Sequence, residues 1–320
     1  MNSSSSPKKS ASLPPPVLPG DRVGVAAISG PVKPARLKAG LAALRGLGFD
    51  VVEASNLRST HRVFAGDDAA RLAGFHELAA RDDISAIFFA RGGWGALRLL
   101  PVMDWDLLAR RPRAYVGYSD LTPFLLQVVQ RLGWVAFHGP MVAADFARRL
   151  DEAERQSLLS ALAGKLPVSF SGEGSAHGAG SVSGPLVGGC LSLLSSTLGT
   201  EWSADYDDAI LFLEELHEPF YRFDRMLTQL RLSGRLTKIR GIVSGHLMCV
   251  GEAREGERHG GPDTHELLEE LAEELGAPLL RCVDVGHDRP NRTLPLGLHA
   301  RLDASRGLLI CGSESTDNQH

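Results

Sequence analysis

Nothing in this chain approaches ~18 consecutive apolar residues, so a membrane-spanning helix of the usual kind is not expected. Cysteine is scarce: the four, at positions 190, 249, 282 and 311, lie far apart and form no Cys-x-x-Cys pair. That excludes a disulfide framework or a cysteine-held zinc as the organising device and fits a reduced, cytosolic chain. No His-Glu-x-x-His occurs, and the histidines show no paired ligand spacing, so no metal is expected. A cofactor is not expected either. The one glycine-rich loop after an apolar run, Arg91-Gly-Gly-Trp-Gly95, fits neither the phosphate-loop nor the dinucleotide-binding spacing. An excess of one charge is also missing: the formal net charge is −4 with both signs interspersed, which points away from nucleic acid or an anionic membrane as partner. The N-terminus carries the basic pair Lys8-Lys9 but no apolar stretch behind it, so it does not read as a secretory signal. Residues 1–19 read as a disordered tail and 313–320 as another.

What is present is a soluble, core-forming composition, 43% hydrophobic and 22% charged over 320 residues, enough for two domains. Short apolar runs at 21–29, 51–54, 84–90, 114–117 and 134–137 alternate with helical patterns at 34–47, 67–80 and 121–132. Such alternation implies a parallel, doubly wound α/β sheet, whose ligands sit at the carboxyl ends of the strands. A Gly/Ser-rich stretch, 169–184, marks a junction. The expected plan is a domain over 20–150, a linker over 151–184 and a smaller mixed α/β, partly barrel-like domain over 185–312. In that second half the strands outnumber the helices: 209–213, 239–245, 279–285, 293–302 and 308–311.

Chemistry is most concentrated where Ala114-Tyr-Val-Gly117 stops at Tyr118-Ser119-Asp120 and a helical pattern begins at once. A strand–turn–helix elbow of this kind lifts a serine hydroxyl out of the packed layer, and Gly117 relieves the crowding of the turn. The competing reading is an ordinary turn with a helix-capping serine. A nucleophilic serine needs a base, and the base an orienting acid. His287 and His138 both follow apolar runs and open loops, so either qualifies. Glu214 extends the run Ile210-Leu-Phe-Leu213 with no polar interruption, so its carboxylate is expected to be partly buried. Its partner is either a histidine or one of Arg222 and Arg225. Glu215 and Glu218 are expected nearer the surface or the substrate. The main-chain N–H groups of Gly93 and Asp120 could approach a developing oxyanion, since Gly92-Gly93 puts no side chain in the way.

These pieces occur in a recurrent order. Ala90-Arg-Gly-Gly-Trp-Gly-Ala96, Val116-Gly-Tyr-Ser-Asp-Leu121, Phe137-His-Gly-Pro-Met141, Gly184-Pro-Leu-Val-Gly-Gly189, Leu213-Glu-Glu-Leu-His-Glu218, Tyr221-Arg-Phe-Asp-Arg225 and Gly286-His287 with Asn291 follow one another along the chain. In that order they resemble the LD-carboxypeptidases, over roughly residues 20–312. The resemblance implies a flavodoxin- or amidotransferase-like N-terminal domain, a Ser119–His287–Glu214 triad, an oxyanion hole from the N–H groups of Gly93 and Asp120, and a structural or substrate-near His138. It also implies a homodimeric, cytoplasmic serine peptidase that releases terminal D-alanine from a small muropeptide during cell-wall recycling. A family branch hydrolyses a peptide–nucleotide antibiotic for self-immunity, which gives an alternative substrate class. A silent peptide-binding protein is the remaining alternative. Trp94, where the family usually has tyrosine, and Glu215, where aspartate is usual, are departures. Trp94 borders the expected oxyanion loop and is a candidate substrate contact with Arg91, whose cation suits a terminal carboxylate, and Glu218.

Overall fold

A computed structural model describes residues 11–174, 180–250 and 263–312. The first half lays down five parallel strands: β1 (Arg22–Ala26), β2 (Asp50–Glu53), β3 (Ala86–Phe89), β4 (Ala114–Gly117) and β5 (Ala136–His138). They stand side by side as β5-β4-β3-β1-β2. Every residue of β3 and β4 is buried, which is why these strands read as continuous apolar runs rather than alternating ones. The helices covering the sheet begin where local chemistry predicts. Asp67 caps Asp68–Ala79 by accepting the Ala70 N–H at 2.8 Å, and Asp151 with Glu154 forms a capping box on Glu152–Leu162.

The second sheet is mixed and contains β6 (Val168–Ser171), β7 (Glu173–Gly174), β8 (Ser181–Cys190), β9 (Ile210–Pro219), β10 (Gly241–Val250) and β11 (Leu279–Arg281). β12 (Leu294–Leu296) leaves this sheet and pairs antiparallel with β5, so the C-terminal half completes the N-terminal sheet. β13 (His299–Asp303) and β14 (Leu308–Cys311) then return, giving the order β6-β14-β13-β8-β9-β10-β11-β7. The two ends of that order are one stretch of chain, with only Gly172 between β6 and β7. The sheet thereby curls back on itself, as a partly barrel-like domain requires. Gly172 is needed there, because a Cβ would stand 2.2 Å from the Arg281 carbonyl oxygen.

Two expectations change. Residues 151–184, expected to be a linker with a helical pattern over 151–164, hold that helix at Glu152–Leu162 and, beyond it, β6, β7 and the start of β8. The capped helix gives Glu154 and Ser157 partners in the far half of the chain, so the junction is packed structure. Of the expected N-terminal tail, residues 11–19 are fixed: the Ala11 N–H donates to the Gly297 carbonyl at 3.0 Å, and Val17 is buried. Residues 1–10 and the expected tail 313–320 lie outside the described residues. No helix among the described residues is long and apolar enough to cross a membrane.

Candidate active site

Four loops leave the carboxyl ends of β1, β3, β4 and β5 side by side, and the site is built there. The loop after β4 is a sharp elbow. Tyr118 is extended, Ser119 has φ 62°, and a turn of 3-10 helix leads into Thr122–Gln127. A left-handed non-glycine residue costs about 1–2 kcal/mol. Strain of this size persists only where surrounding structure over-determines it, and three neighbours do so. A Cβ on Gly117 would come within 3.0 Å of the Phe89 ring, so glycine lets the elbow sit down on β3. A Cβ on Gly92 would stand 2.9 Å from Ser119 Cβ and Oγ, so the Arg91-Gly-Gly loop lies directly against the serine. The buried carboxylate of Asp120 accepts the Ser29 hydroxyl at 2.6 Å and the Ala96 N–H at 2.9 Å, tying the elbow to both neighbouring loops. Burial raises the Asp120 carboxyl above its ordinary value despite those two donors. This fastening role of the side chain has no signature in the sequence.

Across the cleft, β9 carries Glu214 into the interior with no exposed surface. Its Oε2 lies 2.6 Å from Nδ1 of His287, which leaves Nε2 as the ring nitrogen for chemistry. Burial works to raise the Glu214 carboxyl, but the charge and hydrogen bond of His287, helped by His138 and His246, outweigh it and hold the group below its usual value. Burial likewise works against a charged His287, and Glu214 outweighs it, so the imidazole is raised. The ring is further held edge-to-face by Tyr118, centroid to centroid 4.9 Å. Its loop is pinned from below: the Gly286 N–H donates to Asn291 Oδ1 at 3.1 Å, and the Asn291 N–H donates to the buried Glu154 at 2.9 Å. Glu154 is a site-supporting residue that sequence reasoning missed. Its capping-box spacing was visible, but not that its other oxygen serves a loop 137 residues later.

Ser119, His287, Gly92, Gly93 and Tyr118 share the wall of one open cleft of about 510 Å³ with Lys33, Arg36, Arg91, Arg148 and Leu216. Arg91 is half-buried there and donates from Nη1 to the Pro31 carbonyl at 3.1 Å. Such a cleft offers a nucleophile, a histidine backed by a carboxylate, and glycine N–H groups beside a cationic wall. That set suits acyl transfer from an anionic substrate.

Comparison with known proteins decides the family. Residues 23–139 match the LD-carboxypeptidase N-terminal domain and residues 183–302 the LD-carboxypeptidase C-terminal domain. A probable murein peptide carboxypeptidase of Bacillus subtilis is 35% identical over 89% of this chain and 90% of its own length. The chain belongs to the LD-carboxypeptidase family. It is accordingly a serine-type carboxypeptidase. A muramoyltetrapeptide carboxypeptidase from Oxalobacter formigenes has the same fold, with a TM-score of 0.81 at 30% identity over 92% of this chain and 100% of that one. The microcin C7 self-immunity protein of Escherichia coli is 27% identical over 90% of this chain and 92% of its own. Its apo structure superposes with a TM-score of 0.84, at 26% identity over 94% and 98% of the two chains.

In this LD-carboxypeptidase the remaining candidates lie as follows. Glu215, expected nearer the surface or the substrate, is 3% exposed and does not line the cleft. β9 runs through the interior, and the N-terminus of the helix Leu191–Ser196 receives the carboxylate through the Ser192 N–H at 2.7 Å. Burial raises its pKa, the opposite direction from its neighbour Glu214. Glu218 is half-buried, 3.3 Å from Arg222, and does not line the cleft. Arg225 lies over the Tyr221 ring, so neither arginine serves Glu214. Trp94 is 58% exposed, packs edge-on against Phe64 and is also outside the cleft wall. His138 is fully buried between Tyr118 and Phe212, and burial pushes it down to about 4.

Proposed function

We propose that this carboxypeptidase cleaves the amide between an L-centred residue and a terminal D-alanine of a small muropeptide, using Ser119, His287 and Glu214 as a triad. The observation that carries this reading is the 2.6 Å Glu214–His287 hydrogen bond bordering the cleft that also holds the left-handed Ser119. His287 Nε2 takes the Ser119 proton as Oγ attacks the carbonyl carbon. The Gly93 and Asp120 N–H groups receive the oxyanion. The imidazolium then protonates the leaving amine, and water, deprotonated by the same histidine, releases the acyl group. Relatives named murein peptide and murein tetrapeptide carboxypeptidase support the substrate class. The family resemblance further supports a cytoplasmic homodimer engaged in cell-wall recycling.

A second reading keeps the triad and changes the leaving group to an aminoacyl-linked nucleotide. It is favoured by the likeness to the microcin C7 self-immunity protein, one structure of which holds aspartyl sulfamoyl adenosine. Incubation with an L,D-tetrapeptide and with an aminoacyl–nucleotide conjugate, followed by mass spectrometry, separates the two. Release of D-alanine is expected. Ser119→Ala and His287→Ala should each lower kcat by about 10⁶-fold with the fold intact. Near-parental turnover by either variant overturns the triad.

A further inference from the structure

The triad chemistry makes no use of His138, yet this residue lies directly behind it. β5 carries His138 in register with Gly117 of β4, the residue before Tyr118, and with Leu294 of β12. On β9, Phe212 and Glu214 share a face, because side chains alternate along a strand and Leu213 between them belongs to the other core. The His138 ring packs on Phe212 and on Tyr118, each at a centroid distance of 5.3 Å, and Tyr118 holds His287. His138 therefore sits between the strand that carries Glu214 and the tyrosine that steadies its partner.

A phenyl ring would fill that slot, whereas a buried imidazole left unpaired is costly. Among the described residues neither ring nitrogen of His138 has a hydrogen-bond partner, and three other buried polar atoms close by share that condition. One is Glu214 Oε1, the oxygen that His287 does not use. The second is Asn291 Nδ2, on the side chain whose Oδ1 accepts the Gly286 N–H; Gly286 in turn lies against Glu214, where a Cβ would be 3.2 Å from Oε2. The third is Thr293 Oγ1, which would be 3.1 Å from a Cβ on Gly139, the residue after His138. A neutral imidazole has one donor and one acceptor. Burial pushes His138 down to about 4, so at neutral pH its donor suits the carboxylate and its acceptor suits the amide or hydroxyl. None of these atoms is within direct hydrogen-bond distance of another, and together they supply the two to four polar partners that a buried water requires.

We propose that His138 is a positioning residue for the triad, donating its ring N–H through buried water to Glu214 Oε1 and thereby turning Oε2 toward His287. This rests on the triad reading above and deepens it. The other titratable groups around Glu214 are His287, His246 on β10, Glu215 beside it, Cys190 on β8 and Tyr118 at the elbow, with Asp145 and Arg148 beyond Tyr118. None of them donates to Oε1. A donor on Oε1 stabilises a lone carboxylate more than one already compensated by an imidazolium. Its loss therefore makes Glu214 hold the proton on His287 more tightly.

The test follows His287 by NMR of the full-length protein labelled with ¹⁵N-histidine, without substrate. His138→Phe keeps a ring between Tyr118 and Phe212 and removes both nitrogens. The His287 midpoint should then rise by about one pH unit, a tenfold gain in proton affinity. At least one of His138→Asn and His138→Gln, which place an amide N–H near one or the other ring nitrogen, should return it to the parental value. In the parent, His138 should hold a single ring proton from about pH 5.5 to 8, a reading that requires no variant to fold. With an L,D-tetrapeptide, kcat should fall about tenfold in His138→Phe at unchanged KM. A parental midpoint or parental kcat in His138→Phe, an equal shift in all three variants, or a second proton on His138 in that range overturns the assignment. Absence of turnover by the parent counts against the peptidase reading, while the titration still decides the role of His138.

Discussion

The elbow at Ser119 and the Glu214–His287 edge face each other across one cleft but are held by opposite means. The elbow is local: strand, turn and helix are consecutive, and geometry is kept by backbone strain, glycine contacts and the hydrogen bonds of Asp120. The other edge joins residues 73 positions apart, and its geometry is kept by charge in a buried setting. Strain positions an atom without changing its chemistry. A buried ion pair does both, since the bond that orients His287 also sets its proton affinity. The proposed nucleophile and its proposed base therefore respond to different perturbations.

The largest expected effect breaks the electrostatic side alone. Glu214→Gln should lower kcat by about 10⁴-fold, because the imidazole loses its orienting acceptor and the charge that stabilises its protonated form. It should also move the pH profile. As the proposed base His287 acts in its neutral form, and Glu214 raises its pKa, so the acid limb of kcat/KM is expected above the ordinary histidine value. Without the carboxylate, burial is the leading influence and pulls the limb to lower pH. A profile that keeps its acid limb in the variant refutes control of His287 by Glu214.

A smaller effect should come from loosening the elbow. Asp120→Ala leaves the buried Ser29 hydroxyl and Ala96 N–H unpaired, at a cost of about 1–3 kcal/mol in denaturant-measured stability. Activity should fall mainly through kcat while the acid limb stays in place, the converse of Glu214→Gln. Stability equal to the parent would show that these hydrogen bonds do not hold the two loops together.

The smallest effect isolates the strain. Both Ser119→Ala and Ser119→Gly remove the proposed nucleophile, but only glycine is at ease at φ 62°. Ser119→Gly should be more stable than Ser119→Ala by about 1 kcal/mol, the left-handed penalty less glycine's greater unfolded-state freedom. An alanine variant as stable as the glycine one places the strain elsewhere.

Much of this was legible beforehand. The strands β1 to β5 and the helices Asp68–Ala79 and Thr264–Leu275 follow from apolar runs and capping residues whose signals are local. So does the elbow, because its strand, glycine and helix are neighbours in sequence. What stayed hidden depends on distant partners. The run 293–302 looks like one strand, yet β12 goes to the first sheet and β13 to the second, since each completes a different edge. Glu215 looks like a surface residue beside Glu214 until the helix Leu191–Ser196 places its N–H groups there. Glu154 looks like nothing beyond a helix cap.

By itself, then, the chain's sequence determined the parallel N-terminal layer, the position of a turn at Ser119 between strand and helix, and the short list of carboxylates and histidines able to serve it. Hydrophobic periodicity and backbone sterics act over a few residues and can be read in order. Local pattern left His287 and His138 equal, and only the family resemblance favoured His287. The tertiary structure supplies the contact itself, Glu214 Oε2 on His287 Nδ1, and the four cations on one wall. Pairing and charge balance depend on which side chains the two domains bring within hydrogen-bond range, and no local signal carries that distance.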